Sequence, residues 1–308
     1  MAGVRYSLRQ LEYVVSVSEM GSISAAALAL HMSESAVAVG LRELENALGV
    51  QLCIRRKARG IQLTPAGREV TQRARRLLRD AEALQVSSDS GAPAGAVRLG
   101  SPNGIAPSVV PSLLAAAQIA LPQVRLDIVL GDQQELTTRL SSADIDLALL
   151  PTVRLDLELA TRDLFDAPVH ALVSSDHPLA DAEAVSLRQL RDEPFIMLDT
   201  SPAVEHALEL LTAAGIVPDI RHRTTNLELV RAFVGRGWGY SLLTVRPVVD
   251  RTYEGRRVVA LPLEEAPDRD AIVIAWRREI TPTPAAEAIA DLAVRLWQNN
   301  PSPLGIRV

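Results

Sequence analysis

Nine basic side chains fall between residues 51 and 79, against a single carboxylate, Glu69. Arginine and lysine at that density are suited to phosphate contacts. The densest part is Arg55, Arg56, Lys57 and Arg59, and Lys57 is the only lysine in the chain. A solvated charged helix would carry the same composition, but a pattern of another kind precedes this one. Ser33 opens an apolar-striped run, and Ser33, Glu34, Ser35, Ala38, Val39 and Arg42 lie off its stripe. Ser33 and Ser35 can bond a base or a phosphate, Ala38 and Val39 can touch a thymine methyl, and Arg42 can reach a phosphate or a guanine. Glu34 either accepts from a cytosine amino group or only supports the helix N-terminus. Arg42 either faces the nucleic acid or pairs with Glu45 or Glu43. Double-stranded DNA is the partner these residues imply.

The elements that must carry them read clearly. Leu8, Leu11, Val14 and Val15 share one helical face, and Gly21 ends that helix. Ser22 caps a second helix, Ile23 to Leu30, in which Ala26 and Ala27 permit a close crossing. His31-Met32 form a turn. Ser33 caps a third helix whose buried stripe is Ala36, Val37, Leu41 and Leu44, and Gly49 stops it. Val50, Leu52 and Ile54 alternate as a strand, Arg55 to Gly60 form a basic tip, and Ile61 and Leu63 return. This order is that of a winged helix-turn-helix, assigned to residues 1–63.

Thr64-Pro65 starts a further helix, assigned to residues 64–88. Val70, Ala74, Leu77, Ala81 and Leu84 repeat at the 3.5-residue period of a two-stranded coiled coil. The same stripe would also serve a helix packed on its own domain. A small, polar linker runs from Ser87 to Gly95. Beyond it, short apolar strands alternate with helices, which predicts parallel sheets covered on both faces. Strands are expected at 96–100, 124–130, 146–150, 167–173, 195–198, 220–224, 239–243, 258–262 and 271–276. The length argues for two α/β lobes, 95–165 with 268–300 and 166–267.

The chain carries a net charge of −5, yet residues 1–88 hold 12 basic and 8 acidic side chains. A basic module on an acidic body fits a nucleic-acid-binding part joined to a part that binds something else. No apolar run reaches membrane-spanning length and no leader is evident, which predicts a cytoplasmic protein without membrane contact. Cys53, the only cysteine, sits at an apolar position and reads as core. No histidine stands in metal-ligand spacing, and Ser101 and Ser241 lack a nucleophile elbow. Enzyme chemistry, metal and cofactor are therefore not expected. A binding protein whose N-terminal module serves assembly alone is the remaining alternative.

Residues 7–70, SLRQLEYVVSVSEMGSISAAALALHMSESAVAVGLRELENALGVQLCIRRKARGIQLTPAGREV, resemble the LysR-type transcriptional regulators. The shared pattern is a Gly-Ser break, an Ala-Ala pair, a Ser-capped helix, Leu-Glu, Leu-Gly, a basic wing and Leu-Thr-x-Ala-Gly. GRGWGYSLL at 235–243 resembles that family's glycine turn. The chain departs from the pattern at Ile23, Glu34-Ser35, Ala38-Val39-Gly40 and Cys53. The resemblance implies a periplasmic-binding-protein-like effector domain, a small-molecule effector such as an organic acid, and a homodimer or homotetramer on promoter DNA that engages RNA polymerase. Ligands of such two-lobed domains sit at the C-terminal ends of the strands. The resemblance therefore points to Ser101, Asn103, Thr200, Ser201 and Thr225 as effector contacts, each of which could instead be a helix cap. Asp132 and Asp199 nearby suit a donor-bearing ligand better than an anion. A peroxide sensor of this type needs paired cysteines in the effector domain, and this chain has none there.

Overall fold

In the computed structural model, residues 4–56, 60–86, 93–266 and 270–298 are described. Two units divide the chain, Met1–Ala96 with Ser141–Asp144, and Val97–Leu140 with Ile145–Val308.

In the first unit, Ser7 starts α1 (Leu8–Met20). Its hydroxyl accepts from the Gln10 amide, and the Gln10 side chain accepts from the Ser7 amide, so two orphan donors are satisfied together. Gly21 closes the helix at φ 69°, and Ser22 caps α2 (Ile23–Ala29). Ser33 caps α3 (Glu34–Leu48), which meets α2 at 107°, the angle of a helix-turn-helix. Leu11, Val14, Leu41, Leu44 and Leu52 form one core, and Tyr13, Val17, Ala26, Ala27 and Val37 another. Leu8 remains exposed at the start of its face.

The wing is an antiparallel pair, β1 (Cys53–Arg56) with β2 (Gly60–Leu63). The first strand starts at Cys53 and not at Val50, as its alternation predicts. The Glu45 carboxylate accepts from the amides of Leu52 (2.7 Å) and Cys53 (3.0 Å), so the approach to the strand bonds to a side chain. The Ile61 amide donates to the Gly21 carbonyl at 2.9 Å and ties the wing to the first turn. The Thr64 hydroxyl accepts from the Gly67 amide to begin α4 (Pro65–Val86). A Cβ at Gly67 would lie 2.0 Å from the Leu52 carbonyl oxygen, so only glycine admits this approach.

Gly40 has a similar cause. A Cβ there would meet the buried Tyr13 ring at 2.4 Å. The glycine that weakens α3 as an isolated helix is the socket for α1.

In the second unit, the first lobe holds β3 (Gly95–Pro102), β4 (Val124–Gly131), β5 (Leu147–Pro151), β6 (Leu159–Asp166) and β12 (Ala271–Arg277), in the order β4-β3-β5-β12-β6. It is not the purely parallel sheet expected. β3 runs parallel to β5, but β12 is antiparallel to both β5 and β6. The chain leaves this lobe along β6 and returns along β12, so the two strands lie side by side in opposite directions. β6 was not anticipated, because Arg162, Asp163 and Asp166 break its apolar alternation. It is an edge strand, where charge is at home. Arg162 pairs with Glu287 and Asp291 of α9 (Pro284–Gln298) and lies over the Trp276 ring. The helices α5 (Ala106–Ala120) and α6 (Gln133–Ser141) complete this lobe.

The second lobe centres on β7 (His170–Ser174), with β10 (Ser241–Leu243) and β11 (Val258–Pro262) antiparallel on either side. A parallel pair, β8 (Pro194–Leu198) and β9 (Asp219–Thr224), joins it through a bridge from Phe195 to Tyr240. The helices are α7 (Ala203–Ala213) and α8 (Leu227–Gly235). The strand expected from residue 239 starts at Ser241. Gly239, at φ 146°, passes so close to the Pro194 carbonyl that a Cβ would lie 2.1 Å from its oxygen.

Two outcomes are expected. Gly40→Ala should lower stability by about 1–3 kcal/mol through overpacking on Tyr13, where an open helical site would gain about 1 kcal/mol; urea unfolding gives the sign. His170 is buried in β7, and burial, then the charge of Arg246, lowers its pKa from 6.5 to about 4. The folded state holds the ring neutral, so acidification protonates the unfolded chain first. Stability falls as pH drops below 6.5 and levels off below about 4, with about 2 kcal/mol lost by pH 5. Urea titrations at pH 7 and pH 5 should show this loss shrinking in His170→Leu.

Candidate DNA-binding surface and effector cleft

Ser33, Glu34, Ser35, Val39 and Arg42 are exposed on α3, and Ala38 is half-buried. Their availability differs. The Ser33 hydroxyl accepts from the Ala36 amide at 3.2 Å and lies 3.1 Å from Ser35 Oγ, so Ser35 is the freer of the two. Glu34 occupies the first turn, where its charge opposes the positive helix end. Arg42 forms neither anticipated ion pair. Glu45 is taken by the wing amides, Glu43 accepts from Gln10 Nε2 at 2.9 Å, and Arg42 Nε donates to the Ala38 carbonyl. Among the described residues Arg42 has no carboxylate partner.

Lys57 and Arg59, with the side chains of Arg55, Arg56 and Leu84, lie outside the described residues. Further along the basic strip, several charges are committed locally. Arg68 donates to the Leu63 carbonyl, Arg73 pairs with Glu69, and Arg75 reaches Glu19 and Ser18. Among the described side chains of the strip, Arg68, Arg73 and Arg75 are thus each engaged within the unit. Along α4, Ala74 is 1% exposed in the core with Leu11 and Val14, and Val70 packs on the same cluster. Leu77 is 45% exposed and Ala81 half-buried. The heptad stripe therefore divides: its first positions pack in their own unit and Leu77 faces outward. Burial, then Glu45, pushes the Cys53 thiol up to about 11, well away from a reactive thiolate.

Between the lobes of the second unit lies a cleft of about 1430 Å³. Asn103, Thr200, Ser201 and Thr225 line it. Ser101 does not: it is fully buried beneath, its hydroxyl directed to the Pro102 carbonyl. Asp199 is also off the wall, 3.8 Å from Arg223, while Asp132 lines the cleft and caps the Glu135 amide. The hydroxyls of Thr200, Ser201 and Thr225 have no protein partner among the described residues.

Three further residues shape this wall. Gln133 is buried and donates to the Val153 carbonyl. His206 bonds Asp270, whose carbonyl accepts from Ala167 at the paired crossings between lobes. Arg231, 6% exposed, pairs with Glu228 and donates to the carbonyls of Val249 and Arg251. Glu228 in turn accepts from the Tyr253 amide. The only signal for them in sequence was a polar residue on an otherwise apolar helical face, which solvent exposure explains as well.

A two-lobed domain around an open cleft, in one chain with a winged helix-turn-helix, defines a ligand-responsive DNA-binding regulator. Residues 8–68 match the bacterial regulatory helix-turn-helix proteins of the lysR family, and residues 90–298 match the LysR substrate binding domain. The chain belongs to the LysR family of transcriptional regulators. It is 31% identical over 297 residues to a RuBisCO operon transcriptional regulator of Allochromatium vinosum, covering 94% of this chain and 95% of that one. It is 29% identical to a hydrogen peroxide-inducible genes activator of Dickeya chrysanthemi, covering 88% of this chain and 89% of that one. Its fold matches the crystal structure of HinK, a LysR family regulator from Pseudomonas aeruginosa, with TM-score 0.63 and 34% identity over 96% of this chain and 99% of that one. Among the described residues, no single helix is long and apolar enough to cross a membrane.

Thiol chemistry tests the environment of Cys53. With its pKa near 11 against an ordinary 9.0, the thiolate fraction at pH 8 is about a hundredfold below that of a free cysteine. Alkylation of the native chain should be slower by that order, and urea should restore the ordinary rate.

Proposed function

We propose that this regulator binds duplex promoter DNA as a dimer, with α3 in the major groove and Arg55, Arg56, Lys57 and Arg59 of the wing against the flanking backbone or minor groove. The observation that carries this reading is the exposed α3 face bearing Arg42, which has no carboxylate partner among the described residues. Ser35, Ala38, Val39 and Arg42 read bases, while Ser33 and Glu34 chiefly hold the helix start. Leu77, Ala81 and Leu84 form the dimer seam, and dimers assemble further into a tetramer. A small molecule entering the cleft shifts the two lobes and alters promoter engagement and contact with RNA polymerase. The chain acts in the cytoplasm and carries out no catalysis. The peroxide-responsive relative lends its name to no thiol switch here, because Cys53 is the only cysteine and its thiol is held protonated.

Fluorescence anisotropy with the DNA upstream of the chain's own gene tests the DNA half. Arg42→Ala should cost about 1–3 kcal/mol of specific binding. Changing Arg55, Arg56 and Arg59 together to Ala should reduce the salt slope by about 3, roughly 0.9 for each lost phosphate contact. Unchanged affinity and slope in both variants would overturn the placement. Leu77→Asp should halve the assembly mass in solution, and an unchanged mass would remove the seam.

A further inference from the structure

Arg154 lies in the turn after β5, in the first lobe, and its guanidinium pairs with Glu209 of α7, in the second. The pair crosses between lobes beside the cleft, whose wall holds Val153 from one and His206 from the other. The first-lobe side of the pair is a rigid mount. The Leu155 amide donates to the Thr152 carbonyl at 3.2 Å and closes the turn, and Thr152 bonds the Ala271 backbone through its amide and its hydroxyl. The buried Gln133 side chain donates to the Val153 carbonyl at 2.9 Å. Arg154 itself takes φ 52°, a left-handed conformation that costs a residue with a side chain and persists where its surroundings hold it.

The facing helix is complementary. Ala207 and Leu211 are its buried positions, and Glu205 and Glu209 stand off them, one turn apart. Two carboxylates at that spacing repel each other. Among the described residues neither has a cation from its own lobe, and Arg154 supplies one from across the cleft. The bond to Glu209 and its charge raise the Arg154 pKa above its ordinary value, and the charge of Glu205 adds to them. The lobes also meet at Leu227, which packs on the core of the first lobe. That contact is apolar and indifferent to salt, whereas the ion pair is about half exposed on both sides and open to screening.

We propose that the Arg154–Glu209 pair is an electrostatic latch between the lobes: engaged, it holds the closure seen here, and it lets go when the lobes part. An exposed pair adds little to the stability of a fold. Lobe closure is a balance between states of similar free energy, where a small contribution changes the populations severalfold. The latch makes that balance sensitive to ionic strength, whatever occupies the cleft. The test reads the distance between lobes in the full chain by pulsed double electron–electron resonance. Spin labels sit at Leu157→Cys and Val217→Cys, 88% and 92% exposed on the first and second lobes, in a Cys53→Ala background. Labelled chains are diluted in unlabelled ones, so that only distances within a chain are read. At about 0.05 M salt, Arg154→Gln, Glu209→Gln and the double variant should each lower the closed-to-open ratio by the same factor, about two- to fivefold, because either change alone removes the whole bond. Raising salt to about 1 M should bring the wild type to the distances of the variants and leave the variants where they are. Wild-type distances in Arg154→Gln, single-variant factors that multiply in the double variant, or a wild type indifferent to salt overturn the proposal.

Discussion

The antiparallel pairing of β6 with β12 is the constraint on which the second unit depends. One strand carries the chain out of the first lobe and the other brings it back. Their continuations stay joined beyond the sheet, where the Ala167 amide donates to the Asp270 carbonyl at 2.7 Å. Asp270 also holds His206 on α7, and Thr152 at the end of β5 bonds the backbone of Ala271 in both directions. The cleft wall is thus anchored to the hinge itself. His206, on the cleft wall, is bonded through Asp270 to the segments that cross between the lobes.

Local chemistry was legible and long-range direction was not. Ser22, Ser33 and Thr64 declare helix starts because the cap bond spans only three residues. Gly21 and Gly49 declare helix ends because each takes a positive φ. Nothing local records that β12 runs against β5, since strand direction is set by where the chain has been in between. β6 escaped notice because its charges answer to α9 and to an open sheet edge, not to an alternating core. In the cleft, the strand-end rule placed Asn103, Thr200, Ser201 and Thr225 on the wall but also pointed to Ser101, which the sheet buries. Gln133 and Arg231 were missed because a buried polar side chain looks like a surface one until its neighbours are known.

Charge in the first unit follows the same lesson. Counting arginines suggests a broad positive strip from the wing into α4. Arg68, Arg73 and Arg75 are each already engaged by a carbonyl or a carboxylate of the unit. An exposed ion pair contributes little to stability, but it reduces the charge left for phosphate. Arg42 becomes prominent for the opposite reason: Glu45 is occupied with two wing amides and Glu43 with Gln10. Glu45 thereby shapes the wing, and with Glu43 also occupied Arg42 has no carboxylate partner among the described residues.

The contact between Gly40 and Tyr13 has a consequence for how such a protein can diversify. Three successive residues, Ala38, Val39 and Gly40, look equivalent in sequence, yet only the first two reach the outer face. The third is coupled to a ring on a different helix and can change only together with it. The size of the residue at position 40 is therefore set by the ring at position 13, from inside the unit, while the residues at 38 and 39 answer to no such neighbour on another helix face.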